Sequence, residues 1–210
     1  MSSNHPNHNH SRPPPHHQWT LAPTASLPSA NPFSPTQHLG RPARSVSEII
    51  PRLFISDLAF AENPALLASH RITHILSTLP DTIFHPPPTL LPVQPARLQI
   101  RVEDLPFAEL AAHLPTTTAW IRDALCGNAE ARVLVHCIEG VSRSVSVVAA
   151  FLMAQFGWSP SEAIQYIKGK RFVADPNFGF IQQLHEYGRD SLGRAMPPPI
   201  PPFSPPGQNS

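Results

Sequence analysis

Cys137 and Arg143 stand six positions apart in the run Arg132 to Met153, RVLVHCIEGVSRSVSVVAAFLM, and together they suggest sulfur chemistry on a phosphoryl group. A thiol becomes a useful nucleophile as its thiolate, which nearby cations and helix N-termini favour. A guanidinium offers a planar fork of donors that matches two phosphate oxygens, as an ammonium does not. The elements around them fit that use. The β-branched run Val133-Leu134-Val135 predicts a buried strand, and a short loop holding Gly140 follows. The apolar stretch entered at Ser142-Arg143-Ser144 predicts a helix. A strand, a tight loop and a helix start aim successive backbone N–H groups at one point, and the unpaired amides of the first turn add partial positive charge there.

The string His136-Cys137-x-x-Gly140-x-x-Arg143-Ser144 resembles the signature loop of cysteine-dependent phosphatases, and its extension GVSRSVSVVAAFLM is similar to the dual-specificity branch. The resemblance runs from about Ser47 to Tyr187. It implies that Cys137 is the nucleophile and forms a phosphocysteine, splitting one hard displacement into two easier ones. Arg143 is then expected to hold the phosphate and neutralise its charge in the transition state. Backbone amides from Ile138, Glu139, Gly140, Val141, Ser142 and Arg143 would line the rest of the cup, with Gly140 allowing the bend. Ser144 resembles the family hydroxyl that bonds the sulfur and eases its departure, and His136 resembles the residue that orients the loop. No metal or other cofactor is expected.

A leaving oxygen must be protonated as its bond to phosphorus breaks, and a carboxylic acid over the site can supply that proton and later activate water. Asp104 lies 33 residues before Cys137, just past the strand expected at Leu98 to Val102, a spacing similar to that of the family. Glu103 competes with it. Consecutive residues on an extended segment point opposite ways, and the alternation Ile100-x-Val102-x-Asp104 favours Asp104. Glu139 departs from the family pattern by placing a carboxylate in the loop, where an inward orientation would repel a phosphate; it is expected to face outward. With Ile138 and Val141, the loop also lacks the lysines of phosphoinositide-directed relatives. Cys126 is expected as core filler near the far end of the sheet, too distant for a disulfide with Cys137. Asp57 is assigned no role.

Composition bounds the rest. The chain has 210 residues, 41% of them hydrophobic, which suits one α/β domain with chain left over. The net charge of +1, with scattered Lys and Arg, argues against nucleic acid or an anionic membrane as partner. The most apolar run, Val145 to Phe156, is too short for a membrane span and predicts a buried helix. Two cysteines make neither a disulfide framework nor a zinc site, and a reducing interior, cytoplasmic and/or nuclear, is expected.

Residues 1–45 are rich in Pro, His and Ser and are expected to be a disordered tail, their His5, His8 and His10 being solvated rather than metal-binding. The stretch from Ser47 to Ser56 predicts a turn and a first strand, Asn63-Pro64 the start of a short helix, and Ile72 to Ser77 a buried strand. Prolines between 79 and 96 predict a loop. Helical turns are expected at Ala111-Ala112 and from Thr116 to Leu125. Ser159-Pro160-Ser161-Glu162 reads as a capping box, and Asp175-Pro176 as the start of a helix with Phe178, Phe180, Ile181 and Leu184 on its apolar face. Residues 191–210, with Pro197-Pro198-Pro199 and Pro201-Pro202, are expected to be a disordered tail with a weak claim on an SH3- or WW-type partner.

The expected whole is a catalytic domain over 46–190, with a central, mainly parallel sheet and helices on both faces, resembling compact, atypical dual-specificity phosphatases. Its expected substrate is a phosphorylated protein, bearing phosphotyrosine and phosphoserine or phosphothreonine. Two alternatives stand beside it: a relative acting on an RNA 5′ phosphate or a phosphoglucan, which no basic stripe or carbohydrate module supports, and a phosphoprotein-binding pseudophosphatase, which would ordinarily have lost the nucleophile.

Overall fold

The computed structural model describes residues 46–193; the tails, with their histidine cluster and polyproline runs, lie outside the described residues. Five strands and six α-helices follow in the order β1 (Val46–Ile50), β2 (Leu53–Ser56), α1 (Leu58–Ala61), α2 (Pro64–Ser69), β3 (His74–Thr78), β4 (Ala96–Ile100), α3 (Leu114–Gly127), β5 (Val133–His136), α4 (Arg143–Phe156), α5 (Pro160–Lys170) and α6 (Phe178–Tyr187). They build one mixed sheet in the order β1-β2-β5-β3-β4, with β1 antiparallel and the other four strands parallel. The last strand in the chain is therefore inserted between β2 and β3. All four parallel strands end at the same edge, where ligands of open α/β sheets bind.

Strand alternation divides the core into two layers. Leu53 and Ile55 of β2, Leu76 of β3, and Val133 and Val135 of β5 face one cluster, which α3, α4, α5 and α6 complete. Phe54, Ile75 and Leu134 face the other, closed by Phe60 of α1 and Leu67 of α2. Residues from Arg143 to Gln155 of α4 are all buried, as expected of a helix that is apolar on every side. It ends at Gly157, whose φ of 70° supplies the left-handed cap.

Several sequence expectations need correction. The first strand is a hairpin, β1 and β2, because Arg52 adopts a left-handed φ of 71° after Pro51 and reverses the chain. That conformation is costly for a residue with a Cβ. It is held by the guanidinium, which donates to the carbonyls of Leu125 (3.0 Å), Asn128 (2.9 Å) and Ala129 (3.1 Å) beyond and within the end of α3. The fourth strand ends at Ile100 rather than Val102, since its partner β3 runs out at Thr78. Cys126 is exposed rather than core filler. The buried stripe of α3 is Leu114, Thr117, Thr118, Ile121 and Leu125, and Cys126 falls one step off it. The last helix is capped by Asn177, whose side chain accepts from the Phe180 N–H. Phe178 thereby becomes its first residue and is exposed, leaving Phe180, Leu184 and Tyr187 as the buried face. Asp57, assigned no role, caps α1. The capping box at Ser159 and Glu162 is present as expected.

Among the described residues no helix is long and apolar enough to cross a membrane. The clamp at Arg52 gives a stability test. Arg52→Ala should lower the unfolding free energy in urea by about 1.5–3 kcal/mol, the usual contribution of hydrogen bonds from a charged donor, and Arg52→Lys should recover less than half of it.

Candidate active site

The loop from His136 to Arg143 is built by tying its carbonyls away from its centre. The Ile138 carbonyl accepts from the Leu58 N–H at 3.0 Å and that of Val141 from the Asp175 N–H at 2.9 Å. Between them, Glu139 and Gly140 present their carbonyls to Arg171, whose Nη2 and Nε donate at 3.1 and 2.7 Å. In a trans peptide the C=O of one residue and the N–H of the next point in opposite directions. Four carbonyls held outward thus turn the N–H groups of Glu139, Gly140, Val141 and Ser142 toward the middle. The Gly140 N–H accordingly donates to Cys137 Sγ at 3.1 Å. Gly140 has φ 69°, and a Cβ there would lie 2.6 Å from both Arg171 Nη2 and the Ser56 carbonyl oxygen.

Arg171 is 3% exposed, and its Nη1 also donates to Ser47 Oγ at 3.4 Å. Burial draws its guanidinium below the usual value, while Asp57 and the Cys137 sulfur pull it upward. A second cation therefore stands beneath the loop, near the sulfur. A basic residue 34 positions beyond Cys137 carries no local signal of where it will point.

Cys137 lies at the floor of the loop, 1% exposed, with Ser144 Oγ donating to its sulfur at 3.4 Å. His136 is buried beside it. Its Nδ1 stands 3.4 Å from the Cys137 carbonyl, which can only accept, so Nδ1 carries the proton and Ser77 Oγ donates to Nε2 at 2.7 Å. Burial lowers the His136 pKa to about 4, so the ring is neutral at physiological pH. Thr78 Oγ1 donates to the His136 carbonyl at 2.8 Å. Two hydroxyls at the end of β3 thus anchor the point where β5 becomes the loop.

Ser142 makes no capping hydrogen bond to its own helix. Its hydroxyl donates instead to Asp104 Oδ1 at 2.6 Å and accepts from the Asn177 N–H at 3.1 Å. Asn177 Nδ2 donates to the same Asp104 oxygen at 2.8 Å. Asp104 Oδ2 lies 3.5 Å from Arg143 Nε, and Arg143 Nη1 donates to the Val102 carbonyl at 3.3 Å. The arginine is nearly buried, whereas about a third of the aspartate side chain is exposed. The segment carrying Asp104 is also pressed against α6, because a Cβ on Gly179 would sit 1.8 Å from the Pro106 carbonyl oxygen.

The structure thus brings Cys137, Arg143, Ser144, His136 and Asp104 to one sheet edge. Glu103 is exposed, as are Ile138 and Glu139 of the loop. Ser142 does more than lend an amide, and Ser77, Thr78, Arg171, Asn177 and Gly179 join the site unannounced. Asn177 had a cue, since Asn before an apolar stripe is an N-cap signal. Among the described residues no group of three or more His, Cys, Asp or Glu is placed to hold a metal ion.

Fold and site together define an α/β protein with a buried thiol at the floor of a loop of inward-turned amides, next to a nearly buried arginine. The family model for "Dual specificity phosphatase, catalytic domain" matches residues 53–190. Dual specificity protein phosphatase 15 of Mus musculus is 33% identical over 143 residues, covering 68% of this chain and 57% of that protein. Dual specificity protein phosphatase 1B of Arabidopsis thaliana is 34% identical over 160 residues, covering 76% and 92%. Among solved structures, the human tyrosine phosphatase-like serine/threonine/tyrosine-interacting protein superposes with a TM-score of 0.62 at 31% identity, covering 70% of this chain and 97% of that one. The chain belongs to the dual specificity phosphatase family. It spans little more than half the length of the mouse relative.

Two tests follow from this geometry. A histidine whose folded pKa lies near 4 against 6.5 unfolded takes up its proton first in the unfolded chain. Its contribution is therefore full above pH 6.5 and lost as pH falls toward 4, a total of roughly 3 kcal/mol. Urea melts between pH 7 and 4.5 should show most of that loss, shallower in His136→Asn; His74 and His85, also lowered by burial, add to the slope in the same direction. Gly179→Ala should displace Pro106 and with it Asp104, cutting p-nitrophenyl phosphate turnover by roughly 10²-fold while circular dichroism shows a folded chain.

Proposed function

We propose that this protein hydrolyses phosphotyrosine and phosphoserine or phosphothreonine in protein substrates through a phosphocysteine intermediate. The observation that carries the reading is the pair of donors on Cys137 Sγ, the Gly140 N–H and the Ser144 hydroxyl, at the floor of a loop whose carbonyls are tied outward. Such donors favour a sulfur that bears negative charge. The same amides, with the free first turn of α4 and the Arg143 guanidinium, suit a phosphoryl group. The reading takes 46–190 as the catalytic domain and the remainder as tails.

In the first step the Cys137 thiolate attacks phosphorus. The P–S bond forms as the bond to the leaving oxygen breaks, and Asp104 gives that oxygen its proton. In the second, the Asp104 carboxylate takes a proton from water as its oxygen attacks phosphorus; the P–S bond breaks and phosphate leaves. Ser144 steadies the departing sulfur. An arriving phosphate competes with Asp104 for Arg143 Nε, so binding loosens the carboxylate's hold on the arginine just where its proton is needed. Ser142 and Asn177 keep Asp104 over the cup meanwhile. His136 and Arg171 act as positioning residues, one at the base of the loop and the other on its carbonyls. Glu139 is exposed as a residue and its carbonyl is committed to Arg171, which supports an outward orientation.

Turnover of p-nitrophenyl phosphate should persist in EDTA and fall by at least roughly 10³-fold in Cys137→Ser, since the nucleophile and its partners act as one unit. Asp104→Asn should lose about 10²-fold, within the range of general acid catalysis, and Glu103→Gln less than about threefold. Equal losses in the two acid variants would remove Asp104 from its role. Binding of a phosphopeptide without any turnover would favour the pseudophosphatase reading instead. A panel of peptides bearing each of the three phosphoamino acids measures the substrate range.

A further inference from the structure

Among the described residues, the three most exposed large apolar side chains all stand on segments that frame the cup: Phe172 is 80% exposed, Phe107 79% and Phe178 67%. Backbone geometry puts each of them outside. The Ala108 N–H donates to the Leu105 carbonyl at 3.0 Å and the Ala174 N–H to the Arg171 carbonyl at 2.9 Å, so Phe107 and Phe172 sit at the corners of turns. Turn positions favour Gly, Pro, Asn, Asp and Ser, and the backbone makes no demand for a ring at either corner. Phe178 is the first residue of α6, off the stripe of Phe180, Leu184 and Tyr187 that the core takes up. None of the three rings fills the core.

Their neighbours tie all three to the cup. Phe172 follows Arg171, which holds the Glu139 and Gly140 carbonyls. Phe178 follows Asn177, which bonds both Ser142 and Asp104. Phe107 stands three residues past Asp104, and the close approach of Pro106 to Gly179 sets its turn against the residue after Phe178. Ile138, next to Cys137 in the loop, is exposed as well. Apolar side chains scattered singly over a surface are ordinary, whereas several gathered round one opening mark a place that a partner covers.

We propose that Phe107, Phe172 and Phe178 form an apolar rim that selects phosphorylated protein segments carrying aliphatic or aromatic side chains within about three residues of the phosphorylated one. The proposal rests on the phosphatase reading above and names the class of segment it takes. The cup decides the occupant. A chain whose phosphoryl group is seated among the amides must cross the segments around them, and three extended residues span about 10 Å, which matches rings placed one to three residues from groups that touch the loop. Apolar flanks and phenylalanine rings then leave water together, and aromatic flanks gain edge or offset contacts besides. Charges on the same face offer little to an acidic flank. Glu103 is exposed beside Asp104, Lys168 is paired with Asp175 at 3.7 Å, and Lys170 lies over the Tyr166 ring at 6.0 Å.

The experiment uses the full chain and three phosphotyrosine peptides that differ only at the two positions on either side, which hold leucine and phenylalanine, serine, or glutamate. The readout is the ratio of kcat/KM between peptides in one protein, so a change in rate common to both cancels. The apolar peptide should exceed the serine peptide by at least about 10-fold, the discrimination a modest apolar contact gives, chiefly through a lower KM. The glutamate peptide should not exceed the serine peptide. In the triple variant Phe107→Ser, Phe172→Ser, Phe178→Ser the ratio should fall below about threefold; should that variant unfold, Phe172→Ser alone should roughly halve it. A ratio near one in the intact chain, or one that the substitutions leave unchanged, overturns the proposal. So does a different occupant lost in the triple variant: a dimer in sedimentation means that the rings cover a second copy, and pelleting with phosphatidylcholine vesicles means that they enter a lipid surface. Absence of p-nitrophenyl phosphate turnover by the intact chain removes the phosphatase reading instead. The same ratio, then read from peptide dissociation constants by fluorescence anisotropy, still decides the rim, and no binding of any peptide overturns it.

Discussion

The site depends on where a handful of carbonyl oxygens go. A backbone loop carries as many acceptors as donors, and left to itself it presents an anion with both. Here the carbonyls of Ile138 to Val141 are drawn outward by two backbone amides and one guanidinium. The planarity of the peptide then turns the intervening N–H groups inward. A cup of amides needs no net charge on its own residues, which is why Glu139 is compatible with it: the loop's polarity is set by orientation rather than by side-chain sign.

The carboxylate over the cup is coupled to its wall. Ser142 belongs to the loop, Asn177 to the start of α6 and Asp104 to the segment after β4, and one oxygen of Asp104 receives a bond from each of the other two. Ser142 could have capped α4, as serine at that position commonly does. Its hydroxyl serves the aspartate instead, and the first amides of α4 stay available to an anion. Close approach of Pro106 to Gly179 sets the height of the same segment. Three parts of the chain, distant in sequence, therefore fix one carboxylate.

Sheet order explains why these parts meet. Because β5 is inserted between β2 and β3, the ends of both neighbours border its loop: the Ser56 carbonyl crowds Gly140, while Ser77 and Thr78 bond His136. Placing β5 at an edge would remove half of that scaffold. The burial of α4 on every side holds the helix start against the loop from behind.

Sequence alone determined the strand, loop and helix from Val133 to Phe156, and it singled out Cys137, Arg143 and two neighbouring carboxylates as candidates for chemistry. Those features are local, since a β-branched run, a glycine at a bend and an apolar helix each leave their mark within a few residues. It also marked the capping box at Ser159 and the buried character of α4. Only the tertiary structure decided the rest: that Arg52 would turn a presumed strand into a hairpin, that Cys126 would face solvent, and that Arg171, Asn177 and Gly179 would belong to the site. Their roles arise from contacts across 30 or more residues, and no periodicity or composition encodes the partner of a hydrogen bond made at that distance.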